Sequence, residues 1–228
     1  MKKWTIANWK MNGDLEFVRK YQENFNNSSN LIVAAPFVYL GNFEKILCAG
    51  QNVHSEINGA YTGEISAVHL KNLNIKYCLV GHSERRNYFG ESNDFIKNKA
   101  KACIENNVLP IICIGENLSD YENCATEAVL QQQMLECLPQ QGNFWIAYEP
   151  LWAIGTGKTP TISEIAKVHN FIKSKVGENV LVMYGGSVKG SNAVEILQIS
   201  KVDGVLVGGA SLDITEMKVI IQASNPTP

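Results

Sequence analysis

Residues that can move a proton stand at the ends of apolar segments in this 228-residue chain. Glu149 follows the apolar run 144–148, and Pro150 biases its backbone toward an extended conformation. A carboxylate with an ordinary pKa near ~4.3 is a weak base, so we expect the fold to exclude water around Glu149. The alternative, open at this point, is a strand-end carboxylate that pairs with a lysine or arginine.

His82, Lys10 and Asn8 are candidates for the same site. His82 stands where an apolar run gives way to a possible helical turn at 83–86. Because the positive end of a helix disfavours the imidazolium form, we predict a neutral ring that donates an N–H to a substrate oxygen. Lys10 is a candidate fixed cation, with Asn8 beside it. Each alone is also compatible with a core histidine or a solvated lysine.

Two glycine pairs predict a phosphate-binding site. Gly185-Gly186, followed by Ser187, and Gly208-Gly209 each precede a predicted helix start. Backbone N–H groups that no side chain shields, together with the positive end of a helix, attract a dianionic phosphate. Tight turns would also explain one such pair. Two pairs after the last two strands of a barrel favour phosphate binding.

Together these residues indicate one class of reaction. A carboxylate, a neutral imidazole, a cation and a phosphate site suit removal of a proton next to a carbonyl and stabilisation of the enediolate. The other histidines, His54, His69 and His169, lack metal-ligand spacing, so we expect no metal and no cofactor. The sequence therefore predicts proton transfer on a small phosphorylated ketone or aldehyde.

The elements that must position these residues are short apolar strands that alternate with helices. We predict strands at 4–9, 31–35, 47–53, 77–80, 108–114, 144–148, 180–184 and 204–207. Their continuous apolar character is typical of strands covered on both faces. Eight such strands predict an α/β fold, a single-domain (β/α)8 barrel over residues 1–228. The rival, an open doubly wound sheet, lacks the expected G-x-G-x-x-G turn after its first strand.

Several helix boundaries carry sequence signals. Residues predicted to begin helices are Ser92, Thr161, Ser191 and Asp213. Thr161 and Glu164 have the spacing of a capping box, and Gly177 follows the last turn of that helix. These signals support alternating strands and helices along the chain.

Composition excludes several classes of protein. The chain is 45% hydrophobic and 18% charged, with a net charge of −2 and no basic block, so we expect no nucleic-acid partner. Six cysteines without a C-x-x-C pair predict reduced, buried thiols. We also expect no signal peptide and no membrane span, and therefore a cytoplasmic location.

Seven motifs resemble those of the triosephosphate isomerase family. They are NWKMN at 8–12, GHSERR at 81–86, CIGE at 113–116, AYEP at 147–150, WAIGTGK at 152–158, YGGS at 184–187 and VGGAS at 207–211. They follow that family's order across about residues 3–222. The resemblance implies a cofactor-free (β/α)8 isomerase of glycolysis and gluconeogenesis that interconverts dihydroxyacetone phosphate and D-glyceraldehyde 3-phosphate.

The resemblance also implies roles for individual residues. Glu149 would move the proton, His82 would polarise the carbonyl, and Lys10 with Asn8 would hold the developing negative charge. The implied phosphate contacts are Gly155, Ser187, Gly208 and Gly209. Supporting roles fall to Ser83 and Glu84, which would hold His82 and Lys10 in place.

Further expectations from the resemblance concern the lid and the oligomer. Residues 150–160 would form a lid over the site, and Pro160, where the family often has Ala, would alter its opening kinetics. The family is dimeric, so we expect a homodimer in which the loop 58–66 brings Thr62 toward the partner's active site. The short spacing from Lys10 to His82 predicts trimmed helices or loops in the first half.

Two other functions are weighed against this one. A sugar-phosphate epimerase or lyase built on a phosphate-binding barrel needs a different base or a Schiff-base lysine, and no predicted strand interior carries such a lysine. A non-catalytic barrel scaffold predicts loss of the polar residues at the strand ends, yet Asn8, Lys10, His82 and Glu149 are all present.

Overall fold

The computed structural model describes residues 3–154 and 158–225, and its strands close into a parallel barrel. The strands are β1 (Trp4–Asn8), β2 (Leu31–Ala34), β3 (Leu47–Gly50), β4 (Tyr77–Val80), β5 (Leu109–Ile114), β6 (Trp145–Tyr148), β7 (Val182–Tyr184) and β8 (Gly204–Val207). Each strand pairs in parallel with the next, and β8 closes on β1, for example through Ile6 opposite Leu206. The predicted eight-stranded (β/α)8 barrel is confirmed.

Helices connect the strands on the outside of the barrel. Those in the described residues are α1 (Leu15–Phe25), α2 (Phe37–Leu40), α3 (Ala67–Asn72), α4 (Ser83–Phe89), α5 (Asn93–Glu105), α6 (Leu118–Glu122), α7 (Thr126–Cys137), α8 (Ile162–Val176), α9 (Gly190–Gln198) and α10 (Ile214–Ser224). Short 3-10 helices span Leu151–Ala153 and Gly209–Leu212. The connections after β2 and β3 contain only the short helices α2 and α3 among the described helices.

The strand side chains point alternately into two hydrophobic layers. One layer fills the barrel interior and includes Ile6, Leu79, Ile111 and Met183, all fully buried. The other layer lies between the strands and the surrounding helices. Burial on both faces explains why the strands are apolar without alternation, as the sequence indicated.

Most predicted helix signals are confirmed. Ser92 accepts a hydrogen bond from Phe95 N, Thr161 and Glu164 form the capping box, and Asp213 caps α10. The prediction that Ser191 begins a helix is wrong, because α9 already starts at Gly190. A side chain of α10 accepts from its first N–H group: Gly190 N donates to Glu216 Oε2 at 2.7 Å.

Two predicted strands are too long by two residues or more. The segment predicted at 47–53 ends as a strand at Gly50. The side-chain amide of the next residue, Gln51, donates hydrogen bonds to the carbonyl oxygens of Lys10 and Ala34. The segment predicted at 180–184 begins only at Val182. There the Val180 carbonyl accepts a hydrogen bond from Lys173 Nζ at 2.7 Å.

The cysteines test the prediction of reduced, buried thiols, and the helices test the prediction that no segment spans a membrane. All six thiols are free, and five are buried as predicted, but Cys124 is exposed. Among the helices of residues 3–154 and 158–225, none has both the length and the apolar character that a membrane span requires.

Candidate active site

The carboxyl ends of five strands border one cavity of about 530 Å³. Its lining includes Asn8 at the end of β1, His82 after β4 and Glu149 after β6. Lys10 also lines this cavity, together with the three described phosphate-site candidates Ser187, Gly208 and Gly209. The fold therefore brings together residues that are far apart in sequence, such as Asn8 and Gly209, which are separated by 201 positions.

Glu149 and His82 are in direct contact. Glu149 Oε1 lies 3.0 Å from His82 Nε2, and both side chains are almost completely buried. Glu149 Oε2 accepts a hydrogen bond of 3.0 Å from the backbone N–H of Ser83, the first residue of α4. Thus Ser83 holds the carboxylate of Glu149, whereas the resemblance had implied that Ser83 supports His82.

His82 lies at the N-terminus of α4, as the sequence predicted. Its Nδ1 accepts a hydrogen bond from Glu84 N at 3.3 Å. A neutral ring with its proton on Nε2 satisfies this contact and also donates to Glu149. These two contacts are compatible with the neutral imidazole that the sequence predicts.

The pKa directions of this pair differ from the expectation. Burial lowers the pKa of His82, but the carboxylates of Glu149 and, to a smaller extent, Glu84 together outweigh burial, and the net pKa is raised. Burial raises the pKa of Glu149, but His82, the Ser83 N–H and Lys10 outweigh it, and the net pKa is lowered. Exclusion of water alone therefore does not make Glu149 a stronger base while it rests on His82.

Lys10 presents its ammonium group at the same cavity. Its Nζ lies 2.7 Å from Glu84 Oε1, and both side chains are partly exposed. The backbone of Lys10 is left-handed, with φ of 52°. This conformation is costly for a residue with a Cβ, and it is maintained by bonds from Lys10 N to Asn8 Oδ1 and from Gln51 to the Lys10 carbonyl.

The glycines of the predicted phosphate site border open space. A Cβ added at Gly209 would meet no described atom within 4 Å, and one at Gly208 would approach only Lys10, at 3.5 Å. At Gly186, in contrast, a Cβ would lie 2.2 Å from the Tyr184 hydroxyl. Gly186 is therefore needed for packing, whereas Gly208 and Gly209 leave room for a ligand beside their N–H groups.

Some predicted site features cannot be placed in the cavity. Gly155 and the middle of the predicted lid, residues 155–157, lie outside the described residues. Thr62 is exposed on the loop between β3 and α3 and does not line the cavity of its own chain. Within the described part of the chain, no group of His, Cys, Asp or Glu side chains is arranged to bind a metal ion.

Two side chains that support the site residues were not predicted from the sequence. The side-chain amide of Gln51 donates hydrogen bonds to the carbonyl oxygens of Lys10 and of Ala34 at the end of β2, and nothing in its sequence neighbourhood marks it. Glu116 is buried and accepts hydrogen bonds from Tyr148 and Trp152, which flank Glu149 along the chain. Glu116 belongs to the quoted CIGE motif, so that motif was the available signal.

Comparisons with known proteins agree with this geometry. The family model described as triosephosphate isomerase matches residues 3–224. A triosephosphate isomerase from Nitrosococcus oceani is 41% identical, covering 96% of this chain and 97% of that protein, and one from Alkaliphilus oremlandii is 42% identical, covering 97% and 99%.

A solved structure matches as well. The crystal structure of triosephosphate isomerase from Bartonella henselae superposes with a TM-score of 0.91 at 32% identity, covering 99% of this chain and 100% of that chain. Sequence and fold therefore agree over almost the full length. The chain belongs to the triosephosphate isomerase family.

Proposed function

We propose that this protein interconverts dihydroxyacetone phosphate and D-glyceraldehyde 3-phosphate by proton transfer through an enediolate, as a step of glycolysis and gluconeogenesis. The observation that carries the proposal is the contact between Glu149 and His82 in a cavity that also contains Lys10. A base, a hydrogen-bond donor and a cation then face one small substrate.

Glu149 is the proposed base. Its lowered pKa keeps the carboxylate ionised at neutral pH, which is the form that accepts a proton. Without substrate, the two oxygens of the Glu149 carboxylate accept hydrogen bonds from the Ser83 N–H and from His82. Moving from these partners to the substrate carbon removes the contacts that lower its pKa, so its basicity rises at the point of reaction.

His82 and Lys10 are the proposed electrophilic groups. Once Glu149 leaves, the larger of the two carboxylate influences that raise the pKa of His82 is removed and only that of Glu84 remains, while burial and the helix N-terminus continue to favour the neutral ring. The Nε2–H of His82 then donates a hydrogen bond to the substrate carbonyl oxygen. The ammonium of Lys10, with Asn8, offsets the negative charge that develops on the enediolate.

The proposed phosphate site consists of Ser187, Gly208, Gly209 and, from the resemblance, Gly155. Their backbone N–H groups would hold the phosphate at one end of the cavity, away from Glu149 and His82. Binding energy from this non-reacting group positions the carbon atoms for proton transfer. No metal or other cofactor enters the proposed reaction.

We extend the proposal to the whole molecule. Residues 1–228 would form one barrel domain that acts in the cytoplasm as a homodimer, in which Thr62 approaches Asn8, Lys10 and Glu84 of the partner subunit. Support for an interface comes from large apolar side chains left exposed in the single chain, including Met11 at 95% exposure and Tyr61 at 45%.

A coupled assay tests the proposed reaction. Purified protein is supplied with D-glyceraldehyde 3-phosphate, and dihydroxyacetone phosphate is detected through glycerol-3-phosphate dehydrogenase and NADH consumption. We expect NADH loss in proportion to the protein added. Folded protein without turnover would instead favour the non-catalytic scaffold, and turnover of a pentose phosphate alone would favour an epimerase.

A further inference from the structure

A stacked pair of aromatic rings lies beside the segment that follows Glu149. Tyr121, on α6, stacks on Trp152 with ring centroids 4.0 Å apart and an angle of 23° between the planes. Trp152 belongs to the 3-10 helix Leu151–Ala153, which starts two residues after Glu149. The stack therefore fixes the first turn of the connection between β6 and α8.

The same tyrosine also contacts the other end of this connection. Its hydroxyl donates a 2.7 Å hydrogen bond to Glu164 Oε1 in the first turn of α8. The second oxygen of Glu164, Oε2, accepts bonds of 2.7 Å and 2.8 Å from the backbone N–H and the hydroxyl of Thr161. One side chain thus bridges the start and the end of the β6–α8 connection.

Electrostatics and burial support the bridge. The Tyr121 hydrogen bond is the main influence that lowers the pKa of Glu164, so the ionised carboxylate is the form that this contact favours. Trp152 is 8% exposed, and its Nε1–H donates to the buried Glu116 at 2.8 Å. The indole is held at its edge by Glu116 and on one face by Tyr121.

We propose that Tyr121 is a positioning residue for the reaction: by bridging Trp152 and Glu164 it fixes the backbone on which Glu149 moves between Ser83 and the substrate. This inference rests on the proposed role of Glu149. The contact with the substrate remains that of Glu149, and Tyr121 acts through the Trp152 turn. Misplacement of a base by about 1 Å costs up to about 100-fold in rate, so loss of the bridge lowers kcat.

The expected kinetic signature separates positioning from binding. Three of the four proposed phosphate contacts, Ser187, Gly208 and Gly209, belong to the β7 and β8 connections, and the cavity that they line does not include Tyr121. Tyr121→Leu is therefore expected to lower kcat about tenfold while KM changes less than about twofold. Tyr121→Phe keeps the stack and loses the hydrogen bond to Glu164, so its kcat is expected to fall only about two- to threefold.

The experiment combines steady-state kinetics with fluorine NMR of 5-fluorotryptophan-labelled protein. Trp152→Phe assigns the Trp152 resonance among the four tryptophans. Tyr121→Leu should shift the Trp152 resonance and leave those of Trp4, Trp9 and Trp145 in place. Leu118→Ala is the matched control, because it shortens a side chain on the same helix that can neither stack nor donate a hydrogen bond.

The outcomes decide the inference. A kcat loss with constant KM and a shifted Trp152 resonance, absent in Leu118→Ala, supports the positioning role. Wild-type kcat in Tyr121→Leu, or an equal loss in Leu118→Ala, overturns it. If Tyr121→Leu does not fold, Tyr121→Phe decides, and an unchanged kcat overturns the inference. If the wild type itself has no turnover, the proposed function fails. The bridge is then tested by NMR alone: a Trp152 resonance that stays in place in both Tyr121→Phe and Tyr121→Leu overturns it.

Discussion

His82 Nε2 lies 3.0 Å from Glu149 Oε1, although the two residues follow different strands of the barrel. This contact keeps an ionised carboxylate beside an imidazole in a buried site, and it shifts the pKa of each group toward its charged form. In the proposed reaction, the substrate opens this pair before Glu149 accepts a proton.

Removal of the cation should slow the reaction without unfolding the protein. Lys10→Met deletes the ammonium that faces the cavity, and we expect kcat/KM to fall about 100- to 1000-fold. The lost Lys10–Glu84 ion pair is partly exposed and adds little to stability. Steady-state kinetics and thermal unfolding measure the two effects separately.

A second variant controls for the unpaired carboxylate. Lys10→Met combined with Glu84→Gln removes both charges, and its activity should remain as low as that of Lys10→Met. Recovery of activity in the double variant would show that Glu84, rather than the missing ammonium, caused the loss.

A methyl group at the predicted phosphate site should weaken ligand binding without destabilising the fold. In Gly209→Ala the added Cβ meets no described atom within 4 Å, so we expect an unchanged unfolding temperature. Because it occupies space beside the phosphate, calorimetry should show about tenfold weaker binding of 2-phosphoglycolate, an order-of-magnitude expectation for one lost contact.

Two other glycines calibrate that experiment. A Cβ added at Gly41 also meets no described atom within 4 Å, and Gly41 does not line the cavity, so Gly41→Ala should alter neither stability nor binding. Gly186→Ala would place its Cβ 2.2 Å from the Tyr184 hydroxyl and should destabilise the fold. Wild-type affinity in Gly209→Ala contradicts the assignment of this glycine to the phosphate site.

A buried histidine outside the cavity predicts a pH dependence of stability. Burial lowers the pKa of His169 to about 3, and its Nδ1 lies 3.2 Å from the Lys201 carbonyl oxygen. The unfolded chain binds a proton at His169 near pH 6.5, but the native protein does not. The contribution of neutral His169 to the free energy of unfolding is thus complete above pH 6.5 and decreases as the pH falls toward 3.

Urea unfolding at fixed protein concentration measures this contribution. Between pH 7.5 and pH 5, the free energy of unfolding of the wild type should fall by about 2 kcal/mol more than that of His169→Gln. Other titrating groups are common to both proteins and cancel in the difference. Parallel pH profiles for the two proteins would show that His169 is protonated in the native state.

Much of the barrel could be predicted because its signals are local. The strands Tyr77–Val80 and Gly204–Val207 coincide with their predicted limits, since apolar runs buried on both faces end at polar or glycine residues. Ser92 and Asp213 cap helices as predicted, because a cap depends on residues three positions apart or fewer. The location of Asn8, Lys10, His82 and Glu149 followed from strand order alone.

Long-range contacts account for what the sequence did not reveal. Helix α9 starts before Ser191 because Glu216 supplies an acceptor from another helix. The end of β3 depends on Gln51 bonding to carbonyl groups of other connections. The lowered pKa of Glu149 depends first on His82 and then on the Ser83 N–H, which is 66 residues away in sequence. Such partners become visible only in three dimensions.

The most direct test of the account is proton transfer by Glu149. Dihydroxyacetone phosphate is incubated in D2O with the wild type and with Glu149→Gln, which keeps an acceptor for Ser83 N–H, and proton NMR follows the products. The wild type should form D-glyceraldehyde 3-phosphate that carries deuterium on carbon 2. Glu149→Gln should bind 2-phosphoglycolate yet react at least about 1000-fold more slowly. Deuterium incorporation by Glu149→Gln at the wild-type rate would contradict the account.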